Sequence, residues 1–230
     1  MIRALQAIVF DFDGVIADSE RLHLLSYRQV LAPFGLELSD SAYFGEYLGY
    51  DDAAVFRHYA RNNGIEWDDT AVGRLIEAKT RRYEELSAEG EMLFPGAAAF
   101  ITEAASVVPI AVASGALTHE VEDILQRTGL LELFVTVVGT DQTARSKPFP
   151  DPYLEAFARL ADACGSPIDR SRTVAIEDSR WGLESAGAAG LRRVAVANTY
   201  SAAELAPHAE LVVSGLETLT LSALDELCAT

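Results

Sequence analysis

The sequence predicts an α/β fold, a parallel sheet with helices on both faces, interrupted once by a small helical insertion. Six short apolar runs recur along the 230 residues, helical patterns fill most intervals between them, and about ninety residues separate the first run from the second. Strand alternating with helix gives a parallel sheet covered on both faces. Ligands of such sheets sit beyond the carboxyl ends of the strands, near the point where strand order reverses.

The first strand, 7–10, reads Ala-Ile-Val-Phe and runs directly into "DFDGVIADSE", which holds four acids in ten positions. Asp11 and Asp13 are two apart, so in extended chain they project to one side. Gly14 permits a tight departure behind them. Two carboxylates that close repel each other, and a divalent cation offsets the cost. Solvated loop acids are the plainer alternative for a lone Asp-x-Asp.

Helical patterns follow at 19–34, 51–63 and 68–88, with turn signals in Pro33-Phe34-Gly35 and Asn62-Asn63-Gly64. Gly90 and then Pro95-Gly96 mark the return. A crossover needs only a dozen or more residues, so this stretch is an insertion. The expected division is a core of 1–17 with 92–230, and a helical cap of 18–91 over the carboxyl edge of the sheet.

After a helix at 97–105, the second strand, 107–113, ends in Ser114-Gly115 before a helix at 119–128. A hydroxyl and exposed N–H groups at a helix start suit an anion, although an ordinary turn would read the same. Beyond the third strand, 134–138, lies "SKPFPDPY". Lys147 precedes proline and is held extended, and Asp151 with Pro152 starts a helix over 152–163. A solvated loop lysine is the alternative there. The fourth strand, 173–176, ends in Glu177-Asp178, with Ser179 capping a helix over 179–189. These acids land on the edge that carries Asp11 and Asp13. Oxygen-only ligands of this kind suit Mg²⁺; helix-terminal charge is the structural alternative. Strands at 194–197 and 211–213, with a helix at 202–206 between them, complete the pattern.

Composition narrows the partners. Lysine and arginine total 18 against 35 acids, a net charge of -17, which repels nucleic acid and anionic membranes. An anionic substrate therefore needs local cations or a metal. Cys164 and Cys228 form no disulfide framework, so a reduced, cytoplasmic setting is expected. The short apolar start, followed at once by acids, is wrong for a signal peptide, and no run of about 18 apolar residues spans a bilayer.

Together the pieces resemble the haloacid dehalogenase superfamily of phosphohydrolases over nearly the whole chain. "DFDGVIAD" resembles its first motif, Ser114 its second, Lys147 its third, and "IEDS" with "RWGLESAGAAG" its fourth. The insertion resembles the small cap of the branch that includes β-phosphoglucomutase, phosphoglycolate phosphatase and sugar-bisphosphate phosphatases. The resemblance implies a Rossmann-like core and a phosphatase acting on a small phosphorylated metabolite. Asp11 would attack phosphorus and Asp13 would serve as acid and base. Mg²⁺ would sit on Asp11, the Asp13 carbonyl, Glu177 and Asp178, while Ser114, Gly115 and Lys147 would hold phosphoryl oxygens. A monomer is expected.

The cap sequence bears on substrate. "YFGEYLGYDDAAVF" holds Glu46, Asp51 and Asp52 but no cation before Arg57, which speaks against a mutase of the branch gripping a second phosphate. In "EAKTRRYEEL", Lys79, Arg82 and Tyr83 share a helix face by i+3 and i+4 spacing. Lys79 and Arg82 are thus candidates for a second anionic group or, equally, parts of a solvated face. Arg81 lies between Glu77 and Glu85 as a surface ion-pair residue. His23, a turn after Glu20, is either structural or, as the resemblance implies, a cap-pocket residue. Three rivals stand beside the phosphatase: a β-phosphoglucomutase-like sugar phosphomutase, a metal-independent halide-releasing hydrolase, and a non-catalytic receiver module.

Overall fold

The computed structural model of the chain describes residues 4–47, 50, 52–88, 93–165 and 167–229. In chain order the elements are β1 (Ala7–Phe10), α1 (Ser19–Leu31), α2 (Asp40–Ala42), α3 (Asp52–Asn62), α4 (Asp69–Ala88), α5 (Ala97–Ala105), β2 (Ile110–Ala113) and α6 (Thr118–Arg127). There follow β3 (Thr136–Val138), α7 (Asp151–Cys164), β4 (Thr173–Glu177), α8 (Arg180–Ala188), β5 (Arg192–Val196), α9 (Ala202–Leu205), β6 (Leu211–Val213) and α10 (Leu221–Cys228). The chain divides into two compact units, Met1–Asp18 with Met92–Thr230, and Ser19–Glu91. Asp51 and Gly90, and residues 91 and 92 at the expected domain boundary, lie outside the described residues.

The first unit holds one six-stranded sheet in the order β3-β2-β1-β4-β5-β6, parallel throughout. β1 is central and every residue of it is buried, so it reads as an unbroken apolar run rather than an alternating one. Its side chains divide between two faces. Ala7 and Val9 pack with Tyr153, Ala156 and Leu160 of α7. Phe10 meets Phe100 of α5 edge-on at 6.2 Å and Phe134 at 6.1 Å. Strand order reverses beside β1, which opens the crevice between β1 and β4.

All six expected strands form, β1 and β6 with the expected bounds and the other four with shifted ends. β2 starts at Ile110 because the amides of Val107 and Val108 still bond to Ala104 of the preceding helix, at 3.0 and 2.9 Å. β3 starts late because the Phe134 amide closes a 3-10 turn on Leu131. β5 starts early, at Arg192, right after Gly190 (φ 82°) turns the chain. Two short helical features had not been expected. α10 is capped by Thr220, and its Asp225 receives the amides of Ala4 and Leu5 at 2.8 and 2.9 Å. Ser39 caps α2, which continues as a π turn over Tyr43–Tyr47.

The second unit is helical, with an aromatic-rich core of Tyr27, Tyr43, Tyr47, Phe56 and Tyr59 among aliphatic residues that include Leu24, Val72 and Leu75. α4 turns Val72, Leu75, Ile76 and Lys79 inward by i, i+3, i+4, i+7 spacing. Lys79 thus occupies the position where that period asks for an apolar residue, and it is only 3% exposed. No helix among the described residues is long and apolar enough to cross a membrane.

Candidate active site

Each piece of the crevice is positioned by a strand end. The amide of Asp11 bonds to the Ile176 carbonyl at 2.9 Å, which carries the β1–β4 ladder one residue beyond Phe10. The Phe12 carbonyl then accepts from Val15, Ile16 and Ala17 at 3.3, 2.8 and 3.0 Å, and Ala17 bridges to Asp13 on one side and Leu93 on the other. Gly14 (φ 79°) makes this turn in the left-handed region, where any side chain would be strained. A Cβ there would lie 1.9 Å from Asp178 Oδ2. Asn198 Nδ2 donates to the Gly14 carbonyl at 2.8 Å.

β4 delivers Glu177, whose side chain is fully buried and satisfied on both oxygens. Oε1 accepts from Lys147 Nζ at 2.7 Å and from the Tyr153 hydroxyl at 3.1 Å. Oε2 accepts from the amides of Asp178 and Ser179 at 3.0 Å each and from Ser179 Oγ at 2.9 Å. The next helix must come close to this carboxylate, and a Cβ on Gly182 would meet Glu177 Oε1 at 1.6 Å. Ser179 meanwhile caps α8 by accepting the Gly182 amide at 3.1 Å.

Lys147 crosses from the loop before α7 to pair with Asp11 Oδ1 at 2.6 Å as well as with Glu177. Its ammonium also lies over the Tyr153 ring, 5.1 Å from the centroid. Burial alone would lower this ammonium, but Asp11 and Glu177 outweigh burial and hold it above its ordinary range. Asp11 and Asp178 are raised as well, which for a carboxyl favours the neutral form. Burial, then Glu177 and Asp178, push Asp11 well up, against the pull of Lys147. Burial and Glu177 push Asp178 up to about 7, opposed by the Thr199 hydroxyl and Lys147.

Asp11, Glu177 and Asp178 each bring a ligand oxygen within 4.8 Å of the others. Three buried carboxylates therefore face one lysine. The donor set is oxygen only and its charge exceeds its internal compensation, which is the chemistry that suits Mg²⁺. Asp13, half-buried in the turn, lies two residues beyond Asp11 and outside this group of three.

Ser114 is fully buried one residue past β2, with its amide on the Val138 carbonyl at 2.9 Å and its Oγ accepting the Ala116 amide at 3.0 Å. Gly115 beside it is exposed. The register of β2 and β4 on β1 places Ser114 and Glu177 at the same sheet edge as Asp11. Sequence reading missed Tyr153, Asn198 and Thr199. The last two directly follow the apolar run of β5, the same signal that marked Ser114 and Glu177.

The three candidates in the helical unit do not form one group. Lys79 Nζ bonds to Asp52 Oδ1 at 2.8 Å and to His23 Nδ1 at 2.7 Å, and Tyr27 donates to the same Asp52 oxygen at 2.5 Å. His23 stacks on Tyr83 at 4.4 Å. Burial, then the Lys79 charge, lower His23 from 6.5 to about 4, so its ring is neutral at pH 7. Arg82 instead contacts Gln29 and pairs with Glu85 at 2.6 Å. Arg81, expected to pair with Glu77 or Glu85, forms no ion pair among the described residues.

Comparison with known proteins adds three findings. The family model for haloacid dehalogenase-like hydrolases matches residues 8–196. Protein CbbY of Rhodobacter capsulatus is 30% identical over 230 residues, covering 97% of this chain and 99% of its own, and hexitol phosphatase B of Escherichia coli O157:H7 is 30% identical over 231 residues, covering 99% and 96%. The crystal structure of a Rhodobacter sphaeroides CbbY mutant in complex with xylulose-(1,5)bisphosphate superposes with a TM-score of 0.71 at 29% identity, covering 96% of this chain and 99% of that one.

Proposed function

The chain belongs to the haloacid dehalogenase-like hydrolases, and from that premise we propose that it is a Mg²⁺-dependent phosphatase of small phosphorylated sugars. The observation that carries this reading is the convergence of Asp11, Glu177, Asp178 and Lys147 in the crevice at the carboxyl ends of β1 and β4. Relatives named for a hexitol phosphatase and crystallised with a sugar bisphosphate support the substrate class.

In the proposed reaction a carboxylate oxygen of Asp11 attacks phosphorus and the bond to the sugar oxygen breaks, leaving an aspartyl-phosphate. Asp13 gives its proton to the departing oxygen, then takes one from a water that attacks the same phosphorus. The bond to Asp11 breaks, inorganic phosphate leaves, and the Asp11 carboxylate is restored. Lys147, Ser114 Oγ and the Gly115 amide hold phosphoryl oxygens as charge develops. Glu177, with Tyr153, fixes where the Lys147 ammonium stands. Mg²⁺ would be held by Asp11, the Asp13 carbonyl and Asp178 with Glu177 assisting, and when bound it supplies positive charge to the phosphoryl oxygens.

The helical unit is proposed as the cap that selects the sugar, with His23, Lys79 and Arg82 as its candidate residues. Asp52 neutralises Lys79 and Glu85 pairs with Arg82, which weighs against a mutase that must grip a second phosphate. The test is phosphate release, with Mg²⁺ and with EDTA, from hexitol phosphates, sugar mono- and bisphosphates and phosphoglycolate. Asp11→Asn should abolish turnover on every substrate. Full Mg²⁺-dependent turnover by Asp11→Asn would sink the proposed mechanism, and rapid isomerisation of a sugar 1-phosphate with little free phosphate would replace the phosphatase by a mutase.

A further inference from the structure

Within the helical unit lies a cavity of about 720 Å³, lined by residues of that unit alone. Its apolar lining comes from Phe34, Trp67, Leu75 and Ala78, and its cations are Arg74, Arg81 and Arg82. Phe34 is 60% exposed although its ring meets Trp67 edge-on at 6.4 Å. An aromatic wall of this kind stays wet unless something covers it. Arg74, Ala78 and Arg81 follow one another at spacings of four and three, which sets them along one face of α4. Arg74 and Arg81 are exposed and form no ion pair among the described residues. Glu85 is the acid that lines the cavity, and it is engaged with Arg82.

We infer that this cavity binds an amphiphilic organic anion, a flat aromatic or short acyl body carrying a carboxylate, sulfonate or phosphate. Its volume falls in the range of small-ligand sites, roughly 300–1,000 Å³. The apolar body releases water from Phe34, Trp67 and Leu75, while the acid group accepts paired hydrogen bonds from guanidinium forks. Charge decides among possible occupants. A chain of net charge -17 repels anions over most of its surface, so two arginines beside an apolar wall, outside every ion pair among the described residues, are a local exception with a ligand to match. A neutral ligand would leave both guanidiniums unused. A second copy docking symmetrically would set these arginines against the same arginines, because a twofold contact pairs a patch with itself.

The chain has two tryptophans, so a Trp181→Phe background, excited where tyrosine does not absorb, leaves Trp67 as the sole tryptophan reporter, in the cavity lining. The probe is 1-anilinonaphthalene-8-sulfonate, titrated while Trp67 quenching is read. Saturable quenching at one site per chain is expected. The Arg74→Gln and Arg81→Gln double variant, altered only at exposed positions, should raise Kd about tenfold, and uncharged 1-anilinonaphthalene should bind both proteins equally and weakly. Circular dichroism and the urea midpoint verify that the variant is folded. Absence of saturable quenching overturns the proposal. An unchanged Kd in the double variant overturns it in favour of a charge-blind protein-docking face. Dimers that form at high concentration and are dissolved by the dye would make a second copy the occupant.

Discussion

Two buried networks, one at the sheet edge and one inside the helical unit, are assembled from the same kinds of side chain and balance their charge differently. In the crevice, Asp11, Glu177 and Asp178 face Lys147, the one cation paired with them among the described residues. In the helical unit, Lys79 faces Asp52, and the remaining contacts are a tyrosine hydroxyl and a neutral histidine. The first network cannot neutralise itself, and burial together with the neighbouring Glu177 charge pushes Asp11 and Asp178 up. The second is self-contained. Surplus charge held under burial marks a place that awaits a ligand, whereas a matched pair is stable without one.

Substitutions can break or sharpen that contrast. The largest effect is expected from Lys147→Met, which leaves three carboxylates with no cation. Phosphate-release kinetics should show kcat/KM falling about 10³-fold, or about 4 kcal/mol, and a loss under tenfold would mean the crevice is not where phosphate is held. Next comes Lys79→Met, which strands Asp52 and should cost about 3 kcal/mol in urea unfolding. Adding Asp52→Asn should recover most of that loss if the pair is self-contained; no recovery would refute the balance argued for it.

Asp178→Asn should act with the opposite sign on stability. The Asp178 carboxyl titrates near 7 in the fold against an ordinary 3.8, so between those values the fold binds a proton that the unfolded chain has lost. Stability falls as pH rises through that window, and the penalty is complete above it. At pH 8 without metal, Asp178→Asn should therefore raise stability by about 1–2 kcal/mol. Mg²⁺ should raise the Tm of the parent protein and do little for the variant, and an equal rise in both would remove Asp178 from the metal site. The smallest effect concerns His23, whose ring is lowered from 6.5 to about 4. Across that interval the unfolded chain carries a proton that the fold refuses, so stability should climb with pH by about 1 kcal/mol. His23→Asn should flatten the climb in urea midpoints measured from pH 4 to 6.5.

Buried parallel strands were legible because both of their faces are apolar, and the ends of β1, β2 and β4 were legible because acids or serine follow an apolar run abruptly. Strand starts were not. Val107, Val108, Phe134 and Val135 are as apolar as the strands they precede, but the amides of Val107, Val108 and Phe134 close helical turns, and only the backbone reveals that. Tyr153 escaped notice because a tyrosine in an amphipathic helix reads as core, which it also is. In α4 the i+3 rule joined Arg82 to Lys79, yet Arg82 stands about 60° round the helix from Lys79 and Tyr83 only about 40°. That difference sends Lys79 and Tyr83 to His23, and Arg82 to Gln29.

One small contact, the antiparallel bridge between Ala17 and Leu93, bears on how such a molecule can be rebuilt. Paired residues in an antiparallel bridge stand about 5 Å apart at their Cα atoms, a gap that a tight turn spans. The chain thus leaves the sheet-bearing unit and re-enters it through neighbouring doors, and seventy-odd residues hang between them as a graftable cassette. Exchange of that cassette for another, or for a turn of a few residues, would leave every strand pairing of the sheet in register. On the reading proposed above, specificity is then swapped as a module while the phosphate chemistry stays in place.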